Sequence, residues 1–116
     1  MRMVAALGWL LMAACGKMTP EAQYELGKES YQTYCASCHI PGGMGPALDA
    51  RILAYWQTAG NLNTYNRDQM PYNAGGLLTD AQYRDITAFM LRREGLLADQ
   101  IVLKEDNMDD IRLIGP

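Results

Sequence analysis

Cys35-Ala36-Ser37-Cys38-His39 decides how this chain is read. A Cys-x-x-Cys-His run is the attachment signature of a c-type haem. The reason is geometric. Two thiols at this spacing reach the two vinyl groups on one side of a porphyrin and form thioethers. The adjacent imidazole then lies under the ring with a nitrogen on the iron. Cys35 and Cys38 are the candidate covalent links, and His39 is the candidate proximal ligand. Other chemistries use parts of the same run. A thioredoxin-like redox pair also needs Cys-x-x-Cys, but on a βαβ pattern, and no strand alternation is visible here. A zinc site needs one more ligand than Cys35, Cys38 and His39 supply. A structural disulfide between Cys35 and Cys38 leaves unexplained why the single His of the chain follows the second cysteine.

Composition narrows the field further. The 116 residues make one domain. Hydrophobic residues at 49% and charged residues at 20% are ordinary globular values and argue against disorder. The formal charge of −3 offers no basic surface to a phosphate backbone, so nucleic acid is not an expected partner. One His excludes sites built on two or three imidazoles. Three Cys are an odd count and too few for a disulfide scaffold.

The N-terminus reads as an address. Arg2 precedes an apolar run, Val4 to Met12, that is too short to span a bilayer, which takes about 20 residues. Its length is that of a signal-peptide core. It ends in Met12-Ala13-Ala14-Cys15-Gly16, which resembles a bacterial lipobox, with Met12 where Leu is usual. Residues 1–14 are then a signal peptide, and Cys15 becomes the acylated N-terminus. Several acyl chains anchor stably where one does not. The alternatives are an ordinary secretory signal with a spare Cys, or a buried N-terminal helix. Gly16 is not the Asp that retains lipoproteins at the inner membrane, which tilts the expectation toward the outer one.

The remainder reads as helices around an irregular middle. Thr19-Pro20-Glu21 is a helix start, and the helix runs to about Cys35 with Tyr24, Gly27 and Tyr31 on one face. Residues 40–48 hold three Gly and two Pro and cannot be helix or central strand. A second helix is expected from about Asp49 to Ala59, with Gly60 as its stop. Residues 61–78, rich in Asn and Gly, read as loop. Thr79-Asp80-Ala81-Gln82 is a capping box opening a helix to about Glu94, with Tyr83, Ile86, Phe89 and Met90 on one face and Gly95 closing it. Residues 96–116 form an extension with apolar patches at Leu96–Leu103 and Ile111–Ile114. The acidic stretch between them reads either as a solvated tail segment or as a docking surface.

Across residues 20 to 95 the chain resembles a class I cytochrome c. Gly27, Tyr31 and Phe89 match the positions where the N- and C-terminal helices cross. Gly45-Pro46-Ala47-Leu48 matches the Gly-Pro-x-Leu of that family. The resemblance implies an all-α class I cytochrome c fold, its terminal helices crossing and a single covalent haem forming the core of residues 15–95. It implies that the Pro46 carbonyl accepts the second ring N–H of His39, fixing the ring, and that Leu48 packs on the haem face. Arg51, and Trp56 or Tyr55, fall where a propionate contact is expected, although core packing explains Trp56 equally well. Met70-Pro71 matches the family's Met-Pro, which makes Met70 the sixth ligand. Met44 is too close to His39 to cross the ring, and Met90 and Met108 have helical or tail contexts. Asn61-Leu62, Tyr65 and Leu78-Thr79-Asp80 are similar to small bacterial cytochromes beside periplasmic dehydrogenases of molybdenum or quinoprotein type.

His/Met ligation leaves the iron no open position and raises its potential. The expected function is therefore one-electron transfer rather than catalysis, in a periplasmic respiratory or dehydrogenase-linked chain. Donor and acceptor are redox proteins: a dehydrogenase, another cytochrome or a terminal oxidase. The alternatives are the haem subunit of a periplasmic dehydrogenase complex, or a ligand-binding or peroxidatic haem protein if Met70 does not bind iron. A tail packed on its own domain supports a free carrier, and exposed apolar patches in it support a docked subunit.

Overall fold

The computed structural model describes residues 16–114. Residues 1–14, expected to be a signal peptide, and Cys15, the expected acylation site, lie outside them. Among the described residues there are four α-helices, one short 3-10 turn and no strand, an all-α fold.

Helix α1 (Pro20–Tyr34) starts where its sequence says. The Ala22 N–H donates to Thr19 Oγ1 at 3.1 Å, and Pro20 occupies the first turn, where a missing N–H costs nothing. It buries Gln23, Gly27 and Tyr31, every fourth residue, on one face. Helix α4 (Asp80–Arg93) opens with the full capping box between Thr79 and Gln82, at 2.9 and 3.1 Å. These two helices cross at Gly27. A Cβ there would run into the Asp85 carbonyl and stand 2.8 Å from Phe89 Cβ, so only glycine lets the backbones meet. Phe89 is flanked by Tyr24 and Tyr31 at centroid distances of 5.1 and 5.2 Å.

The middle of the chain departs from expectation. The second helix is only α2 (Ala50–Ala54), capped by Asp49. The chain then turns through Gln57, whose φ is 73°, and α3 (Ala59–Gln69) occupies the first half of what reads as loop. Gly60 is inside this helix rather than a stop. Two things override the low helix preference of Asn and Gly. Thr58 caps the first turn, accepting the Asn61 N–H at 3.0 Å. Asn63 and Asn66 face inward and are bonded: Asn66 Nδ2 donates to Thr87 Oγ1 at 3.2 Å, and the Thr87 hydroxyl donates to Asn63 Oδ1 at 3.0 Å. All three are buried, so this polar chain ties α3 to α4 with its groups satisfied.

The C-terminal segment packs back on this frame. Leu97, Leu103, Met108 and Leu113 are all buried. Gln23 pairs with the backbone of Leu103 like a strand neighbour, donating to its carbonyl at 3.0 Å and accepting its N–H at 2.8 Å. Arg92 donates to the carbonyls of Asp99 and Ile101. The Ala59 N–H, an orphan of the first turn of α3, donates to the Ile111 carbonyl at 2.9 Å, and Asp109 packs over Gly60. The acidic stretch is therefore neither free nor uniformly solvated: Met108 is core, and Glu105 pairs with Arg84 at 3.2 Å.

Gly27→Ala is expected to destabilise the holoprotein by about 3 kcal/mol, the upper range for overpacking against backbone that cannot yield. Urea unfolding followed at the haem absorbance measures this; a midpoint equal to that of the parent would show that α1 and α4 can part without cost.

Candidate functional site

Helices α1, α3 and α4 and the loop after α1 line a cavity of about 450 Å³, within the usual range for ligand sites of roughly 300–1,000 Å³. Cys35, Cys38 and His39 enter it from the turn that ends α1, and Met70 enters from the end of α3. Leu48, Leu78, Ile86 and Met90 supply apolar wall.

The geometry at His39 is specific. Its Nδ1 lies 2.8 Å from the Pro46 carbonyl oxygen. A carbonyl only accepts, so Nδ1 carries a proton and donates, and the tautomer that meets this bond has its lone pair on Nε2. Gly45 makes this possible, since a Cβ there would meet the ring at 2.6 Å (Cε1) and 2.8 Å (Nδ1). The Gly45 N–H is itself tied to the Cys38 carbonyl at 2.8 Å. As a free thiol, Cys35 is pushed up to about 11, by burial first and by Cys38 beside it second. A thiol so far from ionising is a poor redox nucleophile, which weighs against a thioredoxin-like pair and suits a site where the sulfur ends as a thioether.

Met70 is not in a long loop but at the C-cap of α3, its N–H donating to the Asn66 carbonyl at 3.0 Å. The Tyr83 hydroxyl donates to the Met70 carbonyl at 2.7 Å and accepts the Leu78 N–H at 3.4 Å. Tyr83 thus closes the 70–78 segment at both ends, from a side chain that is almost wholly buried.

Of the residues singled out in the sequence, Cys35, Cys38, His39, Pro46, Leu48 and Met70 come together around this cavity. Arg51 and Trp56 do not. Arg51 is exposed on α2. The turn at Gln57 directs Trp56 toward α3 instead, where it stacks on Tyr65 at 4.3 Å. Among the wall residues, Asn66, Tyr83, Ile86 and Met90 escape the sequence reading. The last three stand at helical spacing with Phe89 and read there as one packing face. In fact Phe89 serves the α1 crossing, and the other three face the cavity.

Two thiols, an imidazole with one nitrogen bonded and the other free, a thioether and apolar walls form a donor set and shape that fit a covalently held haem. An all-α frame with this cavity is that of a c-type cytochrome domain. Residues 22–90 match the profile of the family described as cytochrome c oxidase, cbb3-type, subunit III, a class I c-type cytochrome domain, and the chain belongs to that family. Comparison with curated proteins and with solved structures gives no match. Membership carries a covalently bound c-type haem, with Cys35 and Cys38 present as the motif thiols, and haem-based electron transfer with redox partners. Proteins of this kind are typically periplasmic or face the outside of the cell.

Tyr83→Phe removes the donor to the Met70 carbonyl and the acceptor of the Leu78 N–H. It is expected to cost about 1–3 kcal/mol, since two backbone groups lose their partner, and to weaken any spectral signature of the Met70 sulfur before the rest of the protein unfolds. Parallel thermal melts followed at the haem bands and by far-ultraviolet dichroism separate the two events.

Proposed function

We propose that this protein is a one-electron carrier whose haem iron is held between His39 Nε2 and the Met70 sulfur. What supports this above all is the Nδ1–H bond from His39 to Pro46, which leaves Nε2 as the ring's only free donor atom in a cavity that also holds Met70. When bound, a haem supplies a one-electron redox couple. The chain's own groups do the rest. The Pro46 carbonyl orients the imidazole and makes it more electron-rich. Leu48, Leu78, Ile86 and Met90 exclude water and lower the local dielectric, favouring the less charged iron state. Tyr83 and Asn66 hold Met70 in place through its backbone.

The buried apolar residues of the tail favour a free carrier over a subunit of a periplasmic dehydrogenase complex, because the tail keeps little apolar surface to offer a large subunit; among its described residues, Ile114 is the only large hydrophobic that stands well exposed. Met70 at the cavity counts against the peroxidatic reading in the same way. Donor and acceptor meet the protein at small transient interfaces, and the family description makes a terminal oxidase one candidate acceptor. The acidic chain is steered by basic patches on its partners. Among the described residues no helix is long and apolar enough to cross a membrane. Membrane attachment on the periplasmic side, the outer membrane being favoured, is proposed through acylated Cys15.

The visible spectrum tests the ligation. A low-spin c-type spectrum with the far-red Met–iron band, unchanged by carbon monoxide, is expected, and Met70→Ala is expected to lose the band and bind carbon monoxide. A parent protein that is high-spin and shifts with carbon monoxide would move the function to ligand binding or peroxidase chemistry. Cys15→Ser is expected to release the protein from the membrane fraction; an unchanged distribution would remove the lipid anchor. Electron transfer to a basic partner is expected to slow as salt rises toward the screening regime of about 0.1 M and above.

A further inference from the structure

Arg93 is the last residue of α4, and nothing in its sequence context marks it. In the fold it reaches back to the loop under His39. Its Nη2 donates to the Leu48 carbonyl at 2.9 Å, and its Nε donates to Glu94 Oε2 at 3.1 Å. The guanidinium lies 5.2 Å from the ring centroid of Tyr31 and 5.4 Å from that of Phe89. These are the two rings that pack at the crossing of α1 and α4. A planar cation over two aromatic faces is attracted to both and is held in orientation by them.

The recipient of this bond is a short strap, residues 45–48. Its start is fixed by the Gly45 N–H on the Cys38 carbonyl at 2.8 Å. In its middle, the Pro46 carbonyl accepts the His39 Nδ1–H. At its end, the Leu48 carbonyl accepts Arg93. Among the described residues, the backbone of Pro46, Ala47 and Leu48 makes no further hydrogen bond, and the next anchor is the Asp49 cap of α2. Pro46 has no N–H to contribute. The distance between the Pro46 oxygen and His39 is thus set by two anchors, one of them a side chain from the far end of the domain.

We propose that Arg93 is a positioning residue for His39. It holds the strap from its C-terminal side, and so sets how strongly Pro46 polarises the imidazole. The inference rests on His39 being an iron ligand. A tighter Nδ1–H bond makes Nε2 more electron-donating and favours the oxidised iron. Loosening the strap therefore raises the potential. Removing the positive charge acts in the opposite sense, so the deciding variant keeps the charge. Lysine carries one ammonium without the flat fork that both stacks on the rings and reaches Leu48.

The experiment uses holoprotein of the parent, R93K, R93Q and E94Q. Two quantities are read: the solvent exchange rate of the His39 Nδ1–H by proton NMR of the reduced state, and the midpoint potential by spectroelectrochemical titration. In R93K the exchange is expected to quicken by about tenfold, the scale of losing one charge-assisted hydrogen bond, with a higher potential and the same low-spin spectrum. R93Q is expected to quicken exchange similarly, while its potential reflects both effects. E94Q removes the charge of the other partner of the guanidinium and leaves the strap alone, so exchange should stay near that of the parent. Variants that melt earlier but keep the parent's exchange rate and potential would overturn the proposal and reduce Arg93 to packing at the helix crossing. R93K alone decides the matter should R93Q not fold. Failure of His39 ligation would show in the parent spectrum before any variant is made, and so is distinguishable from failure of the Arg93 assignment.

Discussion

At Gly27 the backbone of α1 lies against the Asp85 carbonyl of α4, closer than any side chain would permit. The relative position of the thiols, the imidazole and the α4 wall follows from that approach. The turn ending α1 carries Cys35, Cys38 and His39. The face of α4 turned away from the crossing carries Tyr83, Ile86 and Met90. With the crossing fixed, thiols and imidazole are presented to an apolar wall at one separation. A methyl group at Gly27 would move one helix and widen the site with it.

The protein part of the core is divided by this arrangement. Tyr31, Phe89 and Leu91 are buried in the hydrophobic core that the crossing organises, while Tyr83, Ile86 and Met90 line a cavity whose filling is not protein. A chain this small buries a limited apolar core by itself. A large covalent ring supplies much of what is missing, so holding the cofactor and holding the fold are one problem. The buried chain Asn63–Thr87–Asn66 adds direction where apolar contact has none. Its hydrogen bonds are satisfied in one register of α3 on α4, and that register places Met70 at the cavity.

The motif residues and both long helices were legible in the sequence because their signals are local. Thr79 with Gln82, Thr19 with Pro20, and Cys35 to His39 each carry their information within five residues. Helix α3 was not legible. Asn63 and Asn66 belong in a helix only because Thr87, more than twenty residues later, satisfies them, and no local pattern shows this. Gly60 misleads as a stop for the same reason: Asp109 packs over it from the tail. Trp56 depended on a single turn at Gln57, whose positive φ is rare outside glycine and so invisible to residue-type rules. The stripe on α4 was read correctly as buried, but burial has two destinations there, and periodicity does not separate them.

The tail has a consequence for the order in which the fold can be assembled. The first turn of α3 is completed by the Ile111 carbonyl, and Gln57 accepts the Leu113 N–H, while Gln23 is satisfied by Leu103. These partners are far apart along the chain, and a chain emerging N-terminus first makes the second member of each pair late. On the Cys35–His39 side the Pro46 and Cys38 bonds join residues within about ten of one another and can form early, and even the Arg93 anchor of the strap precedes the tail. The Met70 side waits for residues beyond 100. Loop-closure entropy puts such distant pairings last in folding as well, so the proximal half of the site is built before the distal half. The cavity then has an interval in which its mouth on the Met70 side is still open.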